Sequence, residues 1–341
     1  MSTRPIEPTS EAPGARSFDP LSPRAIVIVP IVLAVALSAF AWPNARLAPR
    51  DLPLGLAGSD AATAPVGRLL DSQGGAFDIH RYGSAAEARA AIEDRKVYGA
   101  LVASKTRPTL LTAPAASPFV AAFLEHAFAA PGSATGRLVE VVPADSDDPR
   151  GTVFGALILP LVLSSIVLGA IAALTIRPGS QQAGVLVAAS AVGGFVATAM
   201  VQNWLGAIGG TWVLNAGVLA LTMLAIASVI AGLAALVGHA GIGIGAAVMV
   251  LVGNAWSGIA SAPELLPKPL GAIGQLLPPG AGGNLLRSVV FFDGARATGY
   301  LTVLLVCVSL GLAAIWAGAS LRGSSRVRRS RRRDHAAEGL A

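Results

Sequence analysis

Residues 178–263 form a stretch of 86 positions without a single Asp, Glu, Lys or Arg. At the chain's own frequency of 13% charged residues, about eleven would fall in a stretch of that length. A charge at the centre of a bilayer costs on the order of 2.5–3.5 kcal/mol in helix insertion, which is a physical reason to exclude charges from such a segment. The rest of the composition agrees: 53% of the 341 residues are hydrophobic, and the mean hydropathy is +0.65. Soluble domains carry about 25% charged residues. A soluble enzyme is therefore excluded, and the expected fold class is an α-helical polytopic membrane protein.

The apolar segments divide into six transmembrane helices. The first is 25–42, 18 residues without a charge and preceded by Arg24. That length just reaches across a bilayer core of about 30 Å, and Pro30 is tolerable in lipid. A secretory leader cleaved near Ala39-Phe40-Ala41 is the competing reading. The other five follow Arg150, at 152–176, 184–205, 212–237, 241–260 and 300–321. An even number of crossings puts both termini on one side. Seven arginines between 322 and 333 mark that side as the cytoplasm by the positive-inside rule. Without them the net charge of +6 becomes −1, so the high isoelectric point belongs to a tail and gives no reason to expect nucleic-acid binding. Residues 1–24 read as a disordered cytoplasmic tail and 322–341 as a basic cytoplasmic one.

Between the first and second crossings, 43–150 has a different character. Twenty-three of its 108 residues are charged, eleven basic and twelve acidic, as in a water-soluble domain. Short apolar runs predict strands at 52–57, 77–82, 97–103, 109–113 and 138–142, with a polar turn at 105–108. Helices are expected at 63–72, from Ser84 to about Arg95, and at 118–129; the Ser84-Ala85-Ala86-Glu87 spacing is a capping box. This is a small α/β module placed outside the membrane. The five-helix region 151–321 contains a second segment expected outside, 262–298. It is too apolar for a loop and too broken by Pro263, Pro267, Pro269, Pro278 and Pro279 for one span. It reads either as a re-entrant pair of short helices or as an interfacial lid.

The absences narrow the chemistry. No phosphate-binding loop of the GxxxxGK[ST] type occurs, so the chain has no ATPase site of that kind. His80, His126, His239 and His335 show no metal-ligand spacing, and the single cysteine, Cys307, reads as a packing residue. No cofactor and no metal is expected. Charged residues that would form a proton relay are missing from the spans. Asn203, Asn215, Asn254 and Trp256 are candidates for a substrate path, with interhelical hydrogen bonding as the alternative. Gly241 and Gly245, in GxxxG spacing, read either as close helix packing or as a dimer face.

Three runs then carry a resemblance. They are Asp51-Leu52-Pro53-Leu54-Gly55-Leu56, Ser84-Ala85-Ala86-Glu87-Ala88-Arg89-Ala90-Ala91-Ile92 and Val97-Tyr98-Gly99-Ala100-Leu101-Val102. With Gln275-Leu276-Leu277-Pro278-Pro279-Gly280, Leu286-Arg287 and Phe291-Phe292-Asp293-Gly294, they resemble ABC-2-type transporter permeases, in particular the phage-infection-protein-like branch of high-GC Gram-positive bacteria. The predominance of Arg (22) over Lys (3) fits such a source. The resemblance implies a non-enzymatic subunit of the bacterial plasma membrane, partnered by an ABC ATPase that supplies ATP hydrolysis and by a second permease, identical or paralogous. Its cargo would be lipidic, polymeric or drug-like. Glu264, Pro278, Pro279, Gly280, Asn284 and Arg287 would belong to an outer gate hairpin, and Arg177, Pro178, Gly179 and Gln181 to the ATPase-coupling loop. A membrane scaffold or surface receptor acting through 43–150 is the alternative function.

Overall fold

The computed structural model describes residues 23–104, 107–129 and 136–338, with side chains from 26 to 321 within those ranges. The tails expected at 1–24 and 322–341 and the turn at 105–108 fall wholly or largely outside the described side chains. The described residues are mostly helical, with a small sheet and, among them, five helices long and apolar enough to cross a membrane. These are Ile26–Asn44, Thr152–Thr175, Ser180–Trp204, Trp212–Val237 and Ala297–Leu321.

The first of them belongs to α1 (Pro23–Asn44). The module that follows runs β1 (Leu52–Ala57), α2 (Asp60–Asp71), β2 (Phe77–Tyr82), α3 (Ala85–Glu93), β3 (Gly99–Val102), β4 (Thr109–Thr112), α4 (Pro118–Phe128) and β5 (Arg137–Glu140). The sheet order is β2-β1-β3-β4-β5, parallel except between β3 and β4. Leu52, Leu54, Leu56 and Ala57 are all buried, as a strand with a neighbour on each edge and cover on both faces requires. Ser84 starts α3 by accepting the Glu87 backbone N–H at 3.2 Å, while the Glu87 carboxylate accepts from the Gly83 N–H at 3.0 Å. Ser117 does the same for α4, accepting from Val120 N–H at 3.1 Å, with Pro118 in the first turn. Each such cap is worth about 1 kcal/mol.

The helical part comprises α5 (Thr152–Thr175), α6 (Ser180–Thr198), α7 (Trp212–Val237), α8 (His239–Ala247), α9 (Leu270–Gln275), α10 (Pro278–Phe291) and α11 (Ala297–Glu338). The Asp148 carboxylate is buried and caps α5, accepting the N–H groups of Thr152 and Phe154 at 2.8 and 2.9 Å. Helix α7 is the axis: 72% of its most apolar window is buried, against 6% for α1. Its neighbours approach on small residues. A Cβ on Gly169 of α5 or Gly318 of α11 would stand 2.7 Å from the carbonyl oxygens of Ala227 and Ala235, so these contacts admit only glycine. Gly241 and Gly245 of α8 likewise press on Leu233 and Ile230 of α7, which makes that pair a close-packing contact within the chain.

The structure departs from the fifth expected crossing, 241–260. Gly238, at φ 80, turns the chain directly from α7 into α8. Only nine residues of α-helix follow, and then seven of π-helix, Val248–Asn254. That is at most about 24 Å, short of a bilayer core. The helix stops because Ser257 Oγ donates to the Asn254 carbonyl at 2.8 Å and Gly258 takes a left-handed turn at φ 64.

Segment 262–298 is a pair of short helices driven into the bundle rather than a lid over it. In α10 every residue from Pro278 to Ser288 is buried. Gly282 lies against Thr222 of α7, the eleventh residue of that helix, so α10 reaches about 15 Å along it. At its other end Phe292 joins the hydrophobic cluster of α3, β3 and β4, and Ala262 and Leu265 join the cluster of β1 and α4. The module and the bundle therefore share apolar core at both edges of this segment.

Candidate functional site

Between those two shared cores lies a polar seam. Asn284, 2% exposed in α10, is its centre. Its Nδ2 donates to Gln275 Oε1 at 2.7 Å, and Gln275 Nε2 donates in turn to the Ser257 carbonyl at 2.6 Å. Its Oδ1 accepts from two guanidinium groups, Arg95 Nη2 at 2.9 Å and Arg287 Nη1 at 3.4 Å. Arg95 also donates through Nη1 to the Asn284 carbonyl at 3.1 Å and to Ser288 Oγ. Arg287, 3% exposed, donates to the Ile259 carbonyl at 2.7 Å and stands 4.8 Å above the Phe154 ring.

This arrangement is electrostatically expensive. The two guanidinium groups meet at one neutral oxygen, so their nearest nitrogens lie within about 6 Å and repel by roughly 3 kcal/mol at an effective dielectric of about 20. Two ion pairs, Lys96–Asp94 and Lys268–Asp51, and a His80–Asp78 hydrogen bond occur among the described residues, and none of them involves an arginine. Cation–π contacts of Arg95 with Phe292 and Tyr300, at 5.3 and 5.7 Å, offset part of the cost.

A second link lies beside it. Tyr98, just before β3, donates its hydroxyl to Glu264 Oε2 at 2.8 Å. Desolvation in the seam, and then the Glu264 carboxylate, hold the phenol well above its ordinary value of 10.0, so it remains a donor throughout the physiological range. Arg50 donates to the Leu265 carbonyl at 2.6 Å, and its own N–H to the Glu264 carbonyl at 3.0 Å. Among the described residues four other than glycine adopt positive φ: Asp51, Arg95, Asp293 and Arg296, at 52°, 55°, 47° and 59°. Asp51 and Arg95 line the seam, Arg296 donates to the Arg95 carbonyl at 3.1 Å, and Asp293 lies in the turn after α10. Backbone held in this region costs on the order of 1–3 kcal/mol per residue and concentrates where structure is built for function.

The structure thus gathers Glu264, Asn284 and Arg287 from the expected hairpin into one site. Pro278, Pro279 and Gly280 form the buried first turn of α10, with Pro279 packed on Gly253. The substrate-path candidates scatter. Asn203 lies exposed on the π-helical turn Ala199–Trp204, accepting from Trp212 Nε1 at 2.9 Å. Asn215, fully buried in α7, donates to Gln202 Oε1 at 3.0 Å and to the Gly209 carbonyl at 2.9 Å. Asn254 ends the short helix, and Trp256 Nε1 donates to the Ala39 carbonyl at 3.2 Å, tying α1 to the bundle. A continuous polar path through these four does not exist among the described residues. The coupling-loop candidates shrink as well: Arg177, Pro178 and Gly179 sit in a four-residue turn, and Gln181 is already in the first turn of α6. Next to it Gln182 is buried and donates to the Ala172 carbonyl at 2.8 Å, closing the end of α5.

Compared with known proteins, the chain matches no family model, no curated protein and no solved structure. The site therefore rests on its own geometry. Its residues Arg50, Arg95, Gln275 and Lys268 were not singled out as candidates in the sequence. Tyr98 and Gln275 stood inside the runs that carry the resemblance, but Arg95 meets Asn284 across 189 residues of chain. No local spacing encodes such a partner.

Proposed function

We propose that this chain is the membrane permease subunit of an ATP-driven exporter of ABC-2 type. In this reading His239–Asn254, although short, serves as a fifth of six crossings. The α/β module then lies outside the bacterial plasma membrane, and both ends of the chain lie in the cytoplasm. A separate ABC ATPase supplies ATP hydrolysis, and two permease chains, identical or paralogous, form the path.

The observation that carries the reading is α10. A broken helix pair at depth in an apolar bundle is tolerated where protein covers it or where it lines a path, and transport proteins use such breaks at their working centres. Here the break is attached to the central helix on one side and to the α/β module on the other. An apolar groove of about 550 Å³ between α5 and α6, bordered by Leu157, Val196 and Met223, has the size and lining for a hydrophobic cargo. Movement of α5 and α6, whose connection is the 176–179 turn, would reach that groove directly.

The test is purification of the tagged protein from its native cell in mild detergent, with nucleotide hydrolysis and copurifying proteins measured together. A stoichiometric ATPase whose activity falls when Arg177 and Pro178 are replaced by glycine supports the exporter. Recovery of folded protein without any ATPase favours the second reading, a membrane scaffold or receptor. That reading draws on the same short turn, which leaves an ATPase little to grip, and on the module's firm attachment to α10.

A further inference from the structure

The seam encloses a cavity of about 340 Å³. Arg50, Arg95 and Lys268 line it against Asp51 and Glu264. Lys268 and Asp51 neutralise each other as an exposed ion pair at the rim, each side chain more than half accessible. Glu264 accepts the Tyr98 hydroxyl. What remains on the wall is positive. Arg50 spends its guanidinium on the carbonyls of Arg46, Ala48 and Leu265. Arg95 spends its own on Asn284 and Ser288, all neutral acceptors. Arg287, immediately behind Asn284, adds a third guanidinium to the same neighbourhood.

Neutral oxygens satisfy hydrogen bonds without cancelling charge. Two guanidinium groups converging on one carboxamide, with a third nearby and a single carboxylate between them, form a site that an incoming oxyanion would neutralise. A smaller cleft on the other side of Tyr98 shares Arg95 and Glu264 and brings Arg296 to its edge, so the positive wall continues. The volume is several times that of a bare oxyanion and falls at the lower end of the range for small-ligand pockets. Two of the left-handed residues noted above, Asp51 and Arg95, lie on this wall.

We propose that the seam cavity binds a phosphate group, with Arg50 and Arg95 as its ligands and Lys268 at its mouth. The group comes either from a lipid headgroup or from free phosphate. Arginine forks suit phosphate oxygens through paired N–H donors, whereas Lys268, shared with Asp51 at the rim, offers the anion a point charge in exchange for that carboxylate. The inference goes beyond the export reading and stands without it, since it concerns what the seam holds and not what the bundle carries.

The test uses the full chain in a neutral detergent, with thermal unfolding and native mass spectrometry as readouts. The probes are inorganic phosphate, dioctanoyl phosphatidylglycerol and, as the phosphate-free control, dioctanoylglycerol. A phosphate-bearing probe is expected to bind saturably and raise the unfolding midpoint by several degrees, as any ligand selective for the native state does. Dioctanoylglycerol is expected to do neither. Binding of inorganic phosphate identifies free phosphate as sufficient, and binding of phosphatidylglycerol alone identifies the headgroup. Arg95→Gln is expected to weaken binding at least tenfold. Lys268→Gln, at an exposed position that leaves folding intact, is expected to weaken it about threefold. The proposal is overturned if neither phosphate probe binds, if the control binds equally well, or if both variants bind like the parent.

Discussion

Two polar clusters lie against the apolar helices, and they are built on opposite principles. Around the turn between α6 and α7, Gln202, Asn203, Trp212 and Asn215 pair neutral amides and an indole across at most 13 residues of chain. Across the seam, Arg95 and Arg287 meet at Asn284, with partners 189 residues apart. The first cluster closes a turn that the helices would need in any membrane protein. The second keeps charge where charge is costly, and it does so between the two apolar clusters that the module and the bundle share. Neutral hydrogen bonds inside membrane bundles average about 0.6 kcal/mol, whereas removing a partner from a buried charge typically costs several times more. The energetic weight of the molecule's polar interior should therefore sit in the seam.

Substitutions should rank accordingly in thermal unfolding of the detergent-solubilised protein. Asn284→Ala is expected to have the largest effect, about 3–5 kcal/mol, because it strips the shared acceptor from two guanidinium groups and the partner from Gln275. Arg287→Met sharpens the point: it removes one of two repelling charges while roughly keeping volume, so it should cost less than Asn284→Ala despite deleting a larger polar group. Tyr98→Phe should cost about 1 kcal/mol near neutral pH.

Tyr98→Phe also carries a signature in pH. The folded state holds the Tyr98 proton more tightly than the unfolded chain does, so stability is fully present below the ordinary phenol value of 10.0 and declines as pH rises past it. The variant should lose part of that alkaline decline; Tyr82, whose phenol burial also raises, keeps the remainder. Asn215→Ala should be mildest, about 0.6–1 kcal/mol, since it leaves only two neutral acceptor oxygens and the partly exposed Gln202 can turn to water. A cost for Asn215→Ala equal to that for Asn284→Ala would erase the distinction between the clusters.

The same contrast explains what could be read in advance. The strands Leu52–Ala57 and Phe77–Tyr82 and the start of α3 at Ser84 are legible because alternation, apolar runs and capping boxes are local signals. The long apolar helices are legible for a similar reason, since exclusion of charge is a property of each segment alone. The 241–260 stretch shows the limit. It is apolar enough to cross, but Ser257 and Gly258 end its helix through backbone geometry that hydropathy does not register. Glu264, Asn284 and Arg287 could be marked as unusual polar residues in an apolar, proline-broken segment. That Arg95 and Tyr98 complete their site could not be seen, because the pairing is set by how the sheet packs on α10.

The coupling between Arg95 and Asn284 is the most direct test of the claim that the seam joins module to bundle. Unfolding free energies of Arg95→Ala, Asn284→Ala and the double variant form a double-mutant cycle in the full-length protein. The structure predicts that the double variant is less damaging than the sum of the two single ones, with a coupling of at least about 1 kcal/mol. Additivity within about 0.5 kcal/mol would mean that the two side chains act independently, and would contradict the seam as the joint between the two parts.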